Sequence, residues 1–295
     1  LDNIPVLSLN LASLYHPAGF KITATMLKKA VMAVIYGDLL MKLLLQVRPY
    51  EKIAGAADNL YSYWMQQCKN NLQAGNRLQF KKTLKQIVIS FDQLDTCYKP
   101  KPKVGLAGEI MVKYHPTANK NMARFIEAAG AELMVPGFAE FFLYCAYDRI
   151  INEQYLDGSK LSKTLANLLI RYIEGYRDDL RQALQLSQKF KPPAHIKNMA
   201  ESVQSMLSLC NQSGEGWLLT AEMTELIEEG ANNIICMQTF ACLPNHITGR
   251  GMLKLLKSKY PQANVVTIDY DPGASDTHQI NRIRLMLDRA ISAGS

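Results

Sequence analysis

The chain has 295 residues, of which 48% are hydrophobic and 20% are charged. This composition is typical of a globular protein with a substantial core in one or two domains. It excludes a disordered chain, a collagen-like repeat and a disulfide-stapled mini-protein. The net charge of +7 permits an anionic ligand or partner. Because basic and aromatic residues are not interleaved, we expect no nucleic-acid partner.

The cysteines and the most apolar stretch bear on the cellular location. Six cysteines are scattered without a CxxC pair, at positions 68, 97, 145, 210, 236 and 242. This favours reduced intracellular thiols or metal ligands over structural disulfides. No targeting signal begins the chain, so we expect a cytoplasmic protein. The segment from Ala30 to Val47 is interrupted by Asp38 and Lys42, so we expect no membrane segment.

The first hundred residues are predicted to be almost entirely helical. Apolar residues at helical spacing predict helices over 21–47, 51–74 and 77–96. Segment 4–11 (IPVLSLNL) resembles a strand, but it has no nearby strand with which to pair. It either joins the later sheet or belonged to another one. The chain also lacks an initiator Met, so we favour the second alternative, in which 4–11 is an orphan strand at the start of a helical part, 1–100, of a larger protein.

A Lys/Pro segment, KPKPK at 99–103, separates this helical part from a second part, 101–295. There, strands and helices alternate, with a helical insert at about 150–215. The predicted strands are 103–108, 131–135, 232–237 and 263–268, and the predicted helices are 119–129, several over 137–210, 217–229, 248–259 and 276–291. Short apolar strands separated by helices are typical of a parallel sheet covered on both faces. We therefore predict an α/β fold with a doubly wound, mostly parallel four-stranded sheet in the order 2-1-3-4.

Ligands of such sheets bind beyond the carboxyl ends of the strands, where the strand order reverses. In the predicted order this point lies between strands one and three, at the loops 108–121 and 238–249. The first loop contains Glu109, Asn119 and Asn121. Asn119 either caps the helix that follows or belongs to a site where the amide groups of that helix start hold an anion.

The second loop contains Cys242 and His246, four residues apart. A cysteine on an accessible loop near a helix start favours the thiolate, although a buried structural thiol is the alternative. The two residues also suggest a nucleophile and its base. A metal site would add Asp269 and Asp271 from the end of the fourth strand, but Asp-Pro-Gly at 271–273 is equally a turn sequence.

These segments carry a resemblance to a known family. Residues 214–251, which include FACLPNH, and residues 263–287, which include IDYD and NRI, resemble the 2-hydroxyacyl-CoA dehydratase family. The similarity is greatest to its large activase-related proteins. Shorter upstream pieces fit the same group: HPAGFK (16–21), YGDLL (36–40), RPYE (48–51), VGLAGEIMVKYHPTANKN (104–121) and VPGFAEFFLYC (135–145).

The resemblance implies a second dehydratase-type lobe preceded by its helical connector. It implies a low-potential [4Fe–4S] cluster, for which Cys242 is the leading ligand, Cys145 the second and Cys236 the third. It also implies an ATP-dependent activator module, in cis or in trans, and an acyl-CoA substrate. Our candidate catalytic residues are Glu109 and His246, and our candidate cofactor-binding residues are Asn119, Asn121, Asn245, Asp269 and Asp271.

Three functional hypotheses follow from these residues. The first is an iron–sulfur fragment of a dehydratase or ATP-dependent reductase. Because a cubane takes about four thiolates, it would need cysteines that this chain lacks. The second is a cluster-free module that binds a ligand or docks an activator. The third is a hydrolase that uses Cys242 and His246.

Overall fold

The computed structural model describes residues 23–97, 99–271, 273 and 276–294. The strand predicted at 4–11 lies outside them. As predicted, the first part is helical, with α1 (Ala24–Val47), a 3₁₀ turn (Arg48–Tyr50), α2 (Ala56–Ala74) and α3 (Arg77–Asp92).

Side-chain hydrogen bonds explain where α2 begins and why its predicted start was wrong. The Glu51 carboxylate accepts hydrogen bonds from the amides of Gly55 and Ala57, at 2.7 and 2.8 Å. Glu51 therefore lies before α2 and satisfies amides at its first turn, which have no partner inside a helix. Thr96 forms an isolated antiparallel bridge with Glu51, so α3 ends before position 96.

The second part contains the predicted sheet. Its strands are β1 (Lys103–Gly108), β2 (Glu132–Met134), β3 (Asn233–Thr239) and β4 (Asn264–Tyr270). They are all parallel, in the order β2-β1-β3-β4. The predicted α/β class and strand order are confirmed. β3 and β4 each extend two residues beyond the predicted end, so Gln238 and Asp269 lie in strands.

Both faces of the sheet are buried, as the apolar strands predicted. Leu106 and Ile235 point into one cluster with α5 (Met122–Ala128) and α12 (Asp276–Gly294). Ile234 and Cys236 point into a second cluster, with α9 (Gly216–Glu228) and α11 (Leu253–Lys259). The alternation of side chains along each strand thus gives the sheet two apolar layers.

The helices predicted over 137–210, at 217–229 and at 276–291 are present, whereas those over 110–128 and 243–259 differ from the prediction. The helix α4 (Ile110–Tyr114) was missed, and α5 is shorter than the predicted 119–129. The region 137–210 contains α6 (Ala139–Tyr155), α7 (Lys160–Leu184) and α8 (Ile196–Gln204). The predicted helix 248–259 is replaced by α10 (Leu243–Thr248), a 3₁₀ turn (Arg250–Met252) and α11.

One large core joins the helices on both sides of the Lys/Pro segment. It contains Tyr36 from α1, Phe80 from α3, Tyr144 from α6 and Trp217 from α9, each at most 2% exposed. By length and composition alone, α1 with its 3₁₀ turn would also suffice to cross a membrane, with a mean hydropathy of 1.7. Of that apolar window 56% is buried inside the protein, as in the core helix of a globular fold.

Candidate functional site

The carboxyl ends of β1 and β3 meet at one edge of the sheet, where the strand order reverses. A glycine lets the chain leave β1 across the end of β3. Gly108 has a φ of +139°, and a Cβ at this position would lie 1.9 Å from the carbonyl oxygen of Met237. The next residue, Glu109, donates its amide hydrogen bond to that oxygen at 2.9 Å. We call this region, with the segments 108–121 and 238–250, the carboxyl edge.

Glu109, a candidate catalytic residue, caps α4. Its carboxylate accepts a hydrogen bond from the amide of Val112 at 2.8 Å. A second carboxylate holds the same helix start, because buried Glu215 accepts a hydrogen bond from the amide of Ile110 at 3.1 Å. Two acidic residues at a helix start also interact favourably with the helix dipole. In this structure Glu109 therefore stabilises the start of α4.

Asn119 and Asn121 lie close together but have different surroundings. The Asn119 amide is buried, donates to the carbonyl of Lys113 at 3.2 Å and accepts from the amide of Met122 at 3.1 Å. It thereby caps the start of α5, one of the two roles considered for it. Asn121 is exposed and adopts a left-handed conformation, with a φ of +57°.

Cys242 is the N-cap of α10 and is partly exposed. Its amide donates to the carbonyl of Thr239 at 3.1 Å, in a tight turn where Ala241 has a φ of +60°. Its carbonyl lies 2.9 Å from Nδ1 of the His246 ring. The ring therefore contacts the backbone of Cys242, and no hydrogen bond between ring and thiol is found among the described residues.

His246 belongs to a polar cluster that ends β3 and β4. Its Nε2 lies 3.6 Å from Oδ1 of Asp269, and Gln238 donates a hydrogen bond to the same carboxylate oxygen. The guanidinium of Arg250 lies 3.6 Å from the other oxygen of Asp269. Two of the residues named for a metal site, His246 and Asp269, are thus close together, while Gln238 and Arg250 were not anticipated.

Asn245 is the most unusual residue at the carboxyl edge. Its side chain is fully buried, yet neither its amide nitrogen nor its oxygen has a hydrogen-bond partner within the described residues. The Oε1 atom of buried Gln238 is also unpartnered. A buried polar atom without a partner costs about 1–3 kcal/mol, so such atoms in a folded protein need an explanation.

The other predicted site residues have different surroundings. Asp271 accepts a hydrogen bond from the amide of Gly273 at 2.9 Å, as the turn alternative implies. Cys236 is completely buried in β3, and burial raises the pKa of its thiol to about 12. Cys145 lies on the exposed side of α6, and partial desolvation of its thiol raises the thiol pKa.

The sequence analysis also missed a buried ion pair beside the carboxyl edge. The ammonium of Lys113 on α4 lies 2.6 and 2.8 Å from the two carboxylate oxygens of Glu222 on α9, and both side chains are 3% exposed. The sequence offers a signal for this pair, because a lysine lies in the apolar segment IMVKY and a glutamate in the apolar segment WLLTAEM. A charged residue in an apolar segment is expected to be buried with a partner of opposite charge.

Two further findings bear on metals and on relatives. Within the described ranges, no group of three or more His, Cys, Asp or Glu side chains is arranged to hold a metal ion. Comparison with known protein families, with curated proteins and with solved structures gives no significant match. The carboxyl edge itself carries a partly exposed thiol, a His–Asp–Arg cluster and the unpartnered, buried amide of Asn245.

Proposed function

We propose that this chain is the ligand-binding lobe of an iron–sulfur protein of the 2-hydroxyacyl-CoA dehydratase type, related to the activases. Such a protein would pass low-potential electrons toward an acyl-CoA substrate. The observation that carries the proposal is the position of Cys242, partly exposed at the switch point of the sheet beside the unpartnered Asn245. The resemblance of the FACLPNH segment supports it.

The cysteines of this chain fit one cluster ligand but not a complete cubane site. A cubane takes about four thiolates, and the described residues hold no group of three metal-binding side chains. Cys236 is fully buried with a raised thiol pKa, which disfavours the thiolate that binds iron. Cys242 would therefore supply one thiolate, and the others would come from a further module or from a partner.

The proposed partner is an ATP-dependent activator module, in cis or in trans. All six cysteines are free thiols, which is usual in a reducing compartment, and we propose a cytoplasmic location. We propose neither a nucleic-acid partner nor a membrane partner.

The test is reconstitution of the protein, at the full length of its gene product, with iron and sulfide under anaerobic conditions. The charge-transfer absorbance and the electron paramagnetic resonance of the reduced form would report a cluster. We expect Cys242→Ser to abolish or alter both signals. Substitution of the exposed cysteine that precedes β1, Cys97→Ser, should leave them unchanged. A cluster that is indifferent to Cys242→Ser, or no cluster at all, would refute the iron–sulfur role.

A second candidate function is a binding module without a redox centre. The buried, unpartnered amide of Asn245 and the Oε1 atom of Gln238 favour it, because a polar ligand would satisfy both. Titration of acyl-CoA into the cysteine-free protein tests this alternative. Binding that survives loss of all cysteines but is lost in Asn245→Leu supports the module, whereas binding that is lost with Cys242 supports the iron–sulfur role.

A further inference from the structure

A basic groove lies at the opposite edge of the sheet, where the strands begin. Its volume is about 580 Å³, within the usual range of small-molecule sites of about 300–1,000 Å³. Four cationic side chains line it: Lys101, Lys103, Lys257 and Arg289. We call it the amino-edge groove.

The positive charge of the amino-edge groove is largely uncompensated. Of the described residues, none places a carboxylate within ion-pairing distance, 4.0 Å, of Lys101, Lys257 or Arg289. Lys103 lies 4.0 Å from Glu132, which is 5% exposed and accepts a hydrogen bond from the hydroxyl of Tyr50 at 2.8 Å. Three cations thus face the groove without an anionic partner.

The groove is built on a rigid floor. Its base is formed by the first residues of β1, β3 and β4, where the amide of Glu132 donates to the carbonyl of Pro102 at 3.0 Å and that of Asn264 donates to Asn232 at 2.8 Å. The side chain of Asn233 donates to the carbonyl of Lys103 at 3.3 Å. The prolines on either side of Lys101 restrict its backbone. The backbone beneath the groove is therefore already ordered before a ligand binds, which lowers that part of the cost of binding.

The lining chemistry indicates the class of ligand. Lysine and arginine are the usual ligands of phosphate oxygens. Lys101 on the Lys/Pro segment, Lys257 on α11 and Arg289 on α12 provide more positive charge than a single phosphate requires. Asn232 and Gln262, whose side chains end in amides, also line the groove. Amide groups of this kind can hydrogen-bond to a sugar or a base.

We propose that the amino-edge groove binds a small molecule that carries a diphosphate, such as a nucleoside diphosphate or inorganic pyrophosphate. The site is independent of Cys242 and of the carboxyl edge, because the two lie at opposite ends of the strands. It gives a role to the Lys/Pro segment, which the proposed function leaves without one.

Isothermal titration calorimetry at low ionic strength tests the proposal, with inorganic pyrophosphate, ADP, coenzyme A and inorganic phosphate as probes. The test variant is the double substitution Lys257→Gln/Arg289→Gln. The control is Lys69→Gln/Lys85→Gln, which removes the same charge from exposed sites on α2 and α3. Both change exposed side chains, and their thermal unfolding is compared with that of the parent protein.

We expect pyrophosphate to bind more tightly than phosphate, and the test variant to weaken it at least about tenfold, as loss of charge-assisted hydrogen bonds predicts. The control should bind as the parent does. Tighter binding of ADP or coenzyme A than of pyrophosphate would identify a nucleotide, and equal binding a bare diphosphate. Equal loss in the two double variants, or no binding of any probe, would overturn the proposal. Cys242→Ser should leave the binding unchanged.

Discussion

The buried ion pair between Lys113 and Glu222 joins α4 to α9. Removing one partner should destabilise the fold strongly. In Glu222→Gln the ammonium of Lys113 would remain buried without its bidentate carboxylate. Breaking a buried ion pair in this way costs about 3–5 kcal/mol. For a protein of this size we expect the melting temperature to fall by roughly 10 °C.

The reciprocal variant should cost less. Burial raises the pKa of Glu222 even beside Lys113, so in Lys113→Met the carboxyl can take up a proton and stay neutral in the core. The double variant Lys113→Met/Glu222→Leu removes both charges and should recover much of the stability, because apolar replacements of buried pairs are often neutral or better.

A double-mutant cycle measured by thermal and denaturant unfolding isolates the coupling energy of the two side chains. The exposed pair Lys197–Glu201 supplies the control, since Glu201→Gln should change the stability by less than about 0.5 kcal/mol. If the double variant is as unstable as the sum of the two single variants, the pair is not a coupled unit and the reasoning is wrong.

Three further predictions concern thiol reactivity, pH and backbone conformation. In the native protein, iodoacetamide should label Cys242. Buried Cys236, whose thiol pKa is raised to about 12, should react only when the protein unfolds. Mass spectrometry of the labelled peptides measures both rates, and equal rates would contradict this expectation. Burial raises the pKa of Asp148 to about 7 from 3.8, so the folded state retains a proton that the unfolded state releases. Stability should then fall as pH rises from about 4 to about 7, and Asp148→Asn should flatten part of that slope in melting temperatures measured against pH. Gly108→Ala should destabilise by at least about 2 kcal/mol because its Cβ would collide with a backbone oxygen of β3. In contrast, Gly37→Ala, in the open middle of α1, should stabilise by about 0.5–1 kcal/mol; denaturant unfolding compares the two, and similar effects would refute the steric argument.

The sheet could be predicted from the sequence because its strands are short, continuously apolar and separated by helices. α4 was missed because five residues, Ile110–Tyr114, are too few to show a helical period. The start of α2 was placed too early because the side chain of Glu51, rather than any periodicity, decides where the helix begins. Such contacts between a side chain and the backbone depend on the folded conformation and leave no periodic pattern in the sequence.

Where the candidate residues lie in the fold was predictable, but their contacts were not. Topology alone indicated the two segments of the carboxyl edge, and it brought His246 and Asp269 together. It could not show that Asn245 is buried, because LPNHIT has the composition of an exposed turn. The Lys113–Glu222 pair joins residues 109 positions apart in the chain, and no local pattern records so distant a contact.

The two edges of the sheet differ in what folding alone explains. At the amino edge, exposed cations cost the fold little, because water solvates them. At the carboxyl edge, both polar atoms of the buried Asn245 amide and the Oε1 atom of Gln238 lack partners among the described residues, and each such atom costs stability that an apolar side chain would not. If these amides served only the fold, leucine at position 245 would be the better residue, since it fills a similar volume without unpaired polar atoms. The ligand proposed above would satisfy the Asn245 amide when bound, and in its absence the amide costs stability.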